Sequence, residues 1–237
     1  MLLDLIQGRL TFTDAIVEIL AILVIIFLVL PFHEWAHAFT ASKLGDTSIK
    51  YRGRLTLNPM AHIDPIGALS LLLVGFGWAK PVPIDPRNFK RPKSGMAIVA
   101  LMGPVANIVA ALAGGLIFHA INAFTNGFFP MVVDGQAYSL NVFGYYVYLF
   151  LRYYIHINCA LAVFNLLPLP PLDGSKVLFA FLPDRIVAKF YQYQQIISII
   201  MIVLIFSRIL SIPLNFLTGF VINFVDWLTH LPFSFVG

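Results

Sequence analysis

The chain has 237 residues, of which 59% are hydrophobic and 11% charged, and its mean hydropathy is +0.88. A soluble domain of that length needs a far larger charged surface, so the composition excludes one and indicates an integral membrane protein. The net charge of +4 does not point to nucleic acid, because nine of the fifteen Lys and Arg residues lie between Lys43 and Lys93. A basic loop between membrane segments reads as cytoplasmic, with the bilayer as its surroundings and no nucleic-acid partner. The single cysteine, Cys159, excludes an intramolecular disulfide and a multi-cysteine metal site, and its expected role is apolar packing.

A spanning helix needs about 20 apolar residues. The first candidate runs from about Ala15 to Thr40; no basic stretch or small-residue cleavage site marks it as a signal peptide. "PIGALSLLLVGFGWAKP" (Pro65 to Pro81) is too short to span, so it is expected to be re-entrant, interfacial or a short hairpin. A second span covers about Met96 to Phe124. The third apolar stretch, about Tyr138 to Leu167, opens on a crowd of tyrosines typical of an interface, which places the span itself from about Tyr148 to Pro168. The fourth runs from about Ile196 to Ile212, ended by Pro213, and the fifth from about Leu214 to Leu231. The expected fold is an all-α polytopic membrane protein with about five transmembrane helices and a short segment between the first and second.

Orientation follows from charge. The amino-terminal stretch sets Asp4, Asp14 and Glu18 against Arg9, and the loop from Thr125 to Ala137 has Asp134 and no Lys or Arg. The loop after the third span carries Lys176, Arg185 and Lys189. The N-terminus is therefore expected outside, with the first helix entering the cytoplasm at its C-terminal end.

That helix ends in "FHEWAHA". His33-Glu34-Trp35-Ala36-His37 is an H-E-x-x-H pattern. Residues four apart share one helix face, so two imidazoles can grip one Zn²⁺ while Glu34 acts as general base for the attacking water. With six His and two Glu in the chain, chance would produce the pattern in about one such chain in a thousand, and ionisable groups in a membrane helix are costly unless functional.

A catalytic zinc takes three protein ligands. No glutamate follows Glu34, which excludes the thermolysin-like pattern; Thr40 and Lys43 stand where a metzincin would need Gly and His. The histidines lie within about 10–15 Å of the inner end of their helix. The third span ends at the same depth in "NLLPLPPLDGSK" (Asn165 to Lys176), where Asp173 is either a ligand or a cap for the short helix that follows. His119, His156 and His230 lie toward the outer side and read as packed or interfacial. His62, in "NPMAHIDP", is a loop hydrogen-bonding residue, a contact for substrate or oxyanion, or part of a polar water entrance with Asn58, Asp64 and Lys80.

Together these motifs resemble the site-2 protease family, zinc metalloproteases that cut within membranes. "FHEWAHA" looks like the first motif of that family, "GPVAN" (Gly103 to Asn107) like the G-P-x-x-N of its second, and "NLLPLPPLDG" like its N-x-x-P followed by L-D-G. The resemblance spans about Ile16 to Gly174. It implies one zinc per chain held by His33, His37 and Asp173, with Glu34 as general base. Asn107 and Asn165 would contact the substrate strand or the oxyanion, unless they only hydrogen-bond within the bundle.

The resemblance is to the minimal members without PDZ or regulatory domains. It implies a single peptidase domain over residues 1–237, with a catalytic core of about 16–182 and further helices over about 191–237. The expected setting is a prokaryotic cell membrane, with the zinc site near the cytoplasmic face and a single-pass membrane protein or membrane peptide as substrate. A zinc peptidase of soluble or signal-peptide remnants, and a metal-binding membrane protein without proteolysis, remain as alternatives.

Overall fold

The computed structural model describes residues 12–74, 77–125, 127–133, 136–138, 141–207 and 209–235. Asp4, Arg9 and Asp134, on which the expected orientation partly rests, lie outside them, as do Gly75 and Phe76 of the expected short segment. The elements in order are α1 (Phe12–Leu44), α2 (Pro65–Val74), α3 (Pro92–Phe124), a small antiparallel hairpin of β1 (Met131–Val133) and β2 (Gln136–Tyr138), α4 (Val142–Asn165), α5 (Asp173–Phe179), α6 (Asp184–Gln192), α7 (Gln194–Phe206) and α8 (Ser211–His230). Among the described residues, α1, α3, α4 and α8 are long and apolar enough to cross a membrane, and α6 with α7, bent by 67°, makes a fifth if the pair is one span. The protein is an all-α polytopic membrane protein.

Two boundaries differ from expectation, each for a local reason. The side chain of Asn141 accepts the Gly144 N–H at 3.0 Å and caps α4, so part of the tyrosine run is wound into the first turns of the helix instead of preceding it. Pro213 does not end α7, which stops at Phe206; it lies in the first turn of α8, where its missing N–H has no helical partner to lose. The segment after α2 returns as a short hairpin: Ile63 pairs antiparallel with Ala79, and the Lys80 N–H donates to the His62 carbonyl at 2.7 Å.

Helix α3 is the hub, packing against α1, α4, α5 and α8. Its buried face is built from Gly103, Ala106, Asn107, Ala110, Ala111, Gly114 and Gly115. Apolar lipid gives helices little hydrophobic reason to associate, so close backbone approach along small residues takes over that role. A Cβ on Gly114 would lie 2.7 Å from the Tyr154 ring of α4, and one on Gly115 would lie 2.7 Å from the Thr229 hydroxyl of α8. Near the same end, His119 of α3 meets the Asp226 carboxylate of α8 at 3.1 Å. Cys159 is fully buried in a cluster with Ala111 and Val225.

At the other end, α1 stops at Gly45, whose φ of 122° suits glycine. The next residue, Asp46, is fully buried. Its carboxylate accepts from the Ser48 N–H at 3.2 Å, the Ser48 hydroxyl at 2.6 Å, the Asp85 N–H at 2.8 Å and the Asn88 side-chain amide at 2.9 Å. One buried charge thus ties the loop before α3 to the end of α1. Burial raises the Asp46 pKa, but the hydrogen bonds from Ser48, Asp85 and Asn88 outweigh it and hold the carboxyl below its usual 3.8. For a depressed acid, the stabilisation is complete above the ordinary value and lost as pH falls through the folded one. Amide exchange at Asp85, corrected for intrinsic rate, should therefore keep its protection between pH 7 and pH 5. Asp46→Asn removes charged hydrogen bonds of about 1.5–3 kcal/mol and should speed that exchange at least tenfold at pH 7. Unchanged exchange in the variant would remove Asp46 from this role.

Candidate metal centre

The catalytic-looking half of α1 follows a wide turn. Residues Ile25–Val29 form a π-turn in which the Leu30 N–H reaches back to the Ile25 carbonyl. Pro31 comes next; it has no N–H to give the preceding turn, and its ring crowds a carbonyl there, which a widened turn relieves. Regular α-helix then resumes and presents His33, Glu34 and His37 to the interior, at 5%, 9% and 5% exposure.

Three donors converge on one point. The Nε2 atoms of His33 and His37 are 3.1 Å apart, and Asp173 Oδ2 lies 3.3 Å from the first and 3.1 Å from the second. Among the described residues, no other three His, Cys, Asp or Glu side chains bring their donor atoms together in this way. Tetrahedral zinc with bonds of roughly 2.0–2.1 Å separates its ligand atoms by about 3.3–3.4 Å, close to these spacings. Electron-rich atoms this near each other need a shared positive charge, so the donor set fits the metal implied by the H-E-x-x-H pattern.

The surroundings of the two imidazoles favour the same assignment. His37 Nδ1 lies 2.7 Å from the Val99 carbonyl. A carbonyl only accepts, so Nδ1 donates its hydrogen and Nε2 keeps the lone pair that a metal requires. Pro104 removes the helical bond to the neighbouring Ala100 carbonyl, which loosens this turn of α3. His33 Nδ1 meets Asn107 Oδ1 at 2.6 Å. Gly103 lies against the ligand-bearing edges of both rings: a Cβ there would overlap His37 Nε2 and the Cε1 and Nε2 of His33. The first and last residues of "GPVAN" thus both meet the histidines.

Asp173 does not cap α5. It is the first residue of that helix, the cap position is Leu172, and no side-chain capping bond forms. One carboxylate oxygen faces the histidines while the other accepts from Lys176 Nζ at 2.9 Å. Lys176, one turn along α5, holds the carboxylate so that a single oxygen is offered to the site. Glu34, next to His33 in the chain, has one oxygen held: its Oε2 accepts the Val82 N–H at 3.2 Å, from the loop that Asp46 anchors. Val82, Val99 and Lys176 had no sequence signal of their own, since two of them act through backbone atoms.

The remaining candidates are not drawn in. The Asn165 side-chain amide donates to the Leu161 carbonyl of its own helix at 3.0 Å. His62 is fully buried and donates from Nε2 to the Thr56 carbonyl at 2.8 Å, with Nδ1 left without a partner among the described residues. Asn58 accepts from the Met60 N–H, and Asp64 from the N–H groups of Ile66 and Gly67. These three residues of the expected water entrance are turn and cap residues, and Lys80 is exposed.

Overpacking of this kind costs about 1–3 kcal/mol, felt where the ligands sit. Gly103→Ala should lower zinc affinity by about 5- to 150-fold in a chelator competition on the detergent-solubilised protein. Gly219→Ala, where a Cβ meets nothing within 4 Å, should leave it unchanged. Equal affinities for the two variants would show that the close approach at Gly103 is not required.

Comparison with known proteins agrees with this geometry. The model of Peptidase family M50 matches residues 20–208. YwhC of Bacillus subtilis (strain 168), a zinc metalloprotease by name, is 37% identical over 172 residues, covering 73% of this chain and 74% of that one. Rip2 of Mycolicibacterium smegmatis is 32% identical over 151 residues, but the match spans only 51% of its length; MJ0611 of Methanocaldococcus jannaschii is 29% identical over 151 residues and 63% of its length. Both are also zinc metalloproteases by name. No solved structure matches the chain. The protein is a multi-pass membrane zinc metalloprotease and belongs to Peptidase family M50, the site-2 protease family.

Proposed function

We propose that this metalloprotease is an endopeptidase that hydrolyses peptide bonds in or beside transmembrane segments of other membrane proteins, with one zinc per chain held by His33, His37 and Asp173. The observation that carries this reading is the buried convergence of those three side chains between membrane-length helices. In this reading the N-terminus lies outside and the site near the cytoplasmic face of a prokaryotic cell membrane; the basic residues between Lys43 and Lys93 support that orientation.

Zinc, when bound, supplies a Lewis acid that polarises the scissile carbonyl and acidifies the attacking water. The protein's own groups do the rest. Glu34 takes the proton from that water and returns it to the departing amine. The Val82 N–H holds one oxygen of Glu34, which limits how the carboxylate can turn. Lys176 steadies Asp173 from behind. A helical substrate keeps its amides internally bonded, so the segment to be cut must unwind locally, and helix-breaking residues near the cut would favour that. Asn165, at the inner end of α4, is the proposed contact for the unwound strand.

Glu34→Gln should keep one zinc per chain and lower cleavage of a bilayer-inserted, single-pass substrate by about 10²–10⁴-fold. Asp173→Ala should lose both zinc and cleavage. A wild-type enzyme that cleaves a free soluble peptide but never the inserted substrate would replace this reading with the remnant-peptidase one. Full cleavage by Glu34→Gln would remove Glu34 from its role.

A further inference from the structure

Asn107 and Asn158 are both fully buried, on α3 and α4. Neither is a metal ligand, and Asn158 belongs to none of the three motifs read in the sequence. We propose that Asn158 is a positioning residue for the metal centre, which turns the Asn107 side chain so that the His33 Nε2 presents a lone pair. The proposal rests on the reading of His33 as a zinc ligand.

A side-chain amide has a donating end and an accepting end, and which way each one faces follows here from a group that cannot be reversed. The backbone carbonyl of Tyr154 only accepts, and the Asn158 side chain lies 2.9 Å from it, so Asn158 Nδ2 donates there. Asn158 Oδ1 is thereby turned toward α3, where it lies 3.4 Å from Asn107 Nδ2. That end of Asn107 must donate, which leaves Asn107 Oδ1 facing His33 Nδ1 at 2.6 Å. His33 Nδ1 must then carry the hydrogen, and the lone pair falls on Nε2. The chain of orientations runs from a main-chain oxygen on α4 to the ligand atom on α1. For His37 the same outcome needs no relay, because its Nδ1 donates straight to the Val99 carbonyl.

Without Asn158, nothing on this path distinguishes the two ends of Asn107. The reversed amide would offer N–H to His33 Nδ1, moving the ring hydrogen to Nε2 and closing the coordination position. At 3.4 Å the Asn107–Asn158 contact is long, so the preference it gives one orientation of Asn107 is modest. A group bonded directly to a ligand, as Asn107 is to His33, typically changes metal affinity by about 10–100-fold; Asn158, one contact further out, should change it less.

The test compares zinc affinity, by chelator competition in detergent, across the wild type, Asn158→Leu, Asn107→Asp and the double variant. Asn158→Leu should weaken zinc by about 3- to 20-fold. A carboxylate accepts whichever way it is turned, so Asn107→Asp with Asn158→Leu should bind no more weakly than Asn107→Asp alone. Asn158→Asp, which as the neutral acid still donates to the Tyr154 carbonyl and accepts from Asn107, should stay close to the wild type at a pH that keeps it protonated, even if the leucine variant folds poorly. In the metal-free chain, ¹⁵N shifts of the His33 ring should move toward the Nε2–H tautomer in Asn158→Leu and return in the double variant. An equal loss from Asn158→Leu in both backgrounds, or a loss in Asn158→Asp as large as that in Asn158→Leu, would assign Asn158 to packing and overturn the proposal. Zinc that is lost in His33→Ala yet untouched by Asn158→Leu would overturn it while leaving the metal reading intact. A wild type that binds no zinc would overturn both.

Discussion

The structure depends on how closely α3 can approach α1. At Gly103 there is no side chain between the α3 backbone and the imidazoles of His33 and His37, and from that approach the other contacts follow. Val99 and Asn107, each four residues from Gly103 along the same helix face, come within hydrogen-bonding reach of the two rings. Helix α5 then packs against α3 as well, which carries Asp173 to the third corner. Polar groups inside a membrane bundle must find partners within the protein; here each imidazole has a partner on its far side and a shared carboxylate on its near side.

The loops are organised around the same centre by ordinary turn chemistry. Asp46 gathers Ser48, Asp85 and Asn88 at the end of α1, and the loop so held sends the Val82 N–H to Glu34. A buried carboxylate with four donors is stable because the donors replace its lost hydration. The anchor near the surface and the contact deep inside are thus two ends of one piece of backbone.

Much of this was legible in the sequence where the signal was local. H-E-x-x-H states its own geometry, because four residues on a helix always return to one face. Membrane helices announce themselves by composition, and their approximate number and order follow. What sequence spacing left open was long-range or main-chain. Asp173 is 136 residues from His37, and an aspartate followed by glycine before a short helix reads equally as a cap. Val82 and Val99 act through an N–H and a C=O that every residue possesses. The polarity that makes Asn58 and Asp64 candidates for an aqueous lining equally suits the turns that they close.

The π-turn ahead of Pro31 has an evolutionary reading. A five-residue turn is what an α-helix looks like after absorbing a single inserted residue without disturbing the faces on either side. The stretch Ile25–Val29 therefore works as a length buffer between two halves of α1 that answer to different demands, the N-terminal half to packing on α4, the C-terminal half to the metal ligands. Loss of one residue there would let the helix close up into a regular coil with His33 and His37 still facing inward. Gain or loss of a residue anywhere between His33 and Leu44 has no such refuge, because the chain beyond is fastened to the rest of the site through Asp46.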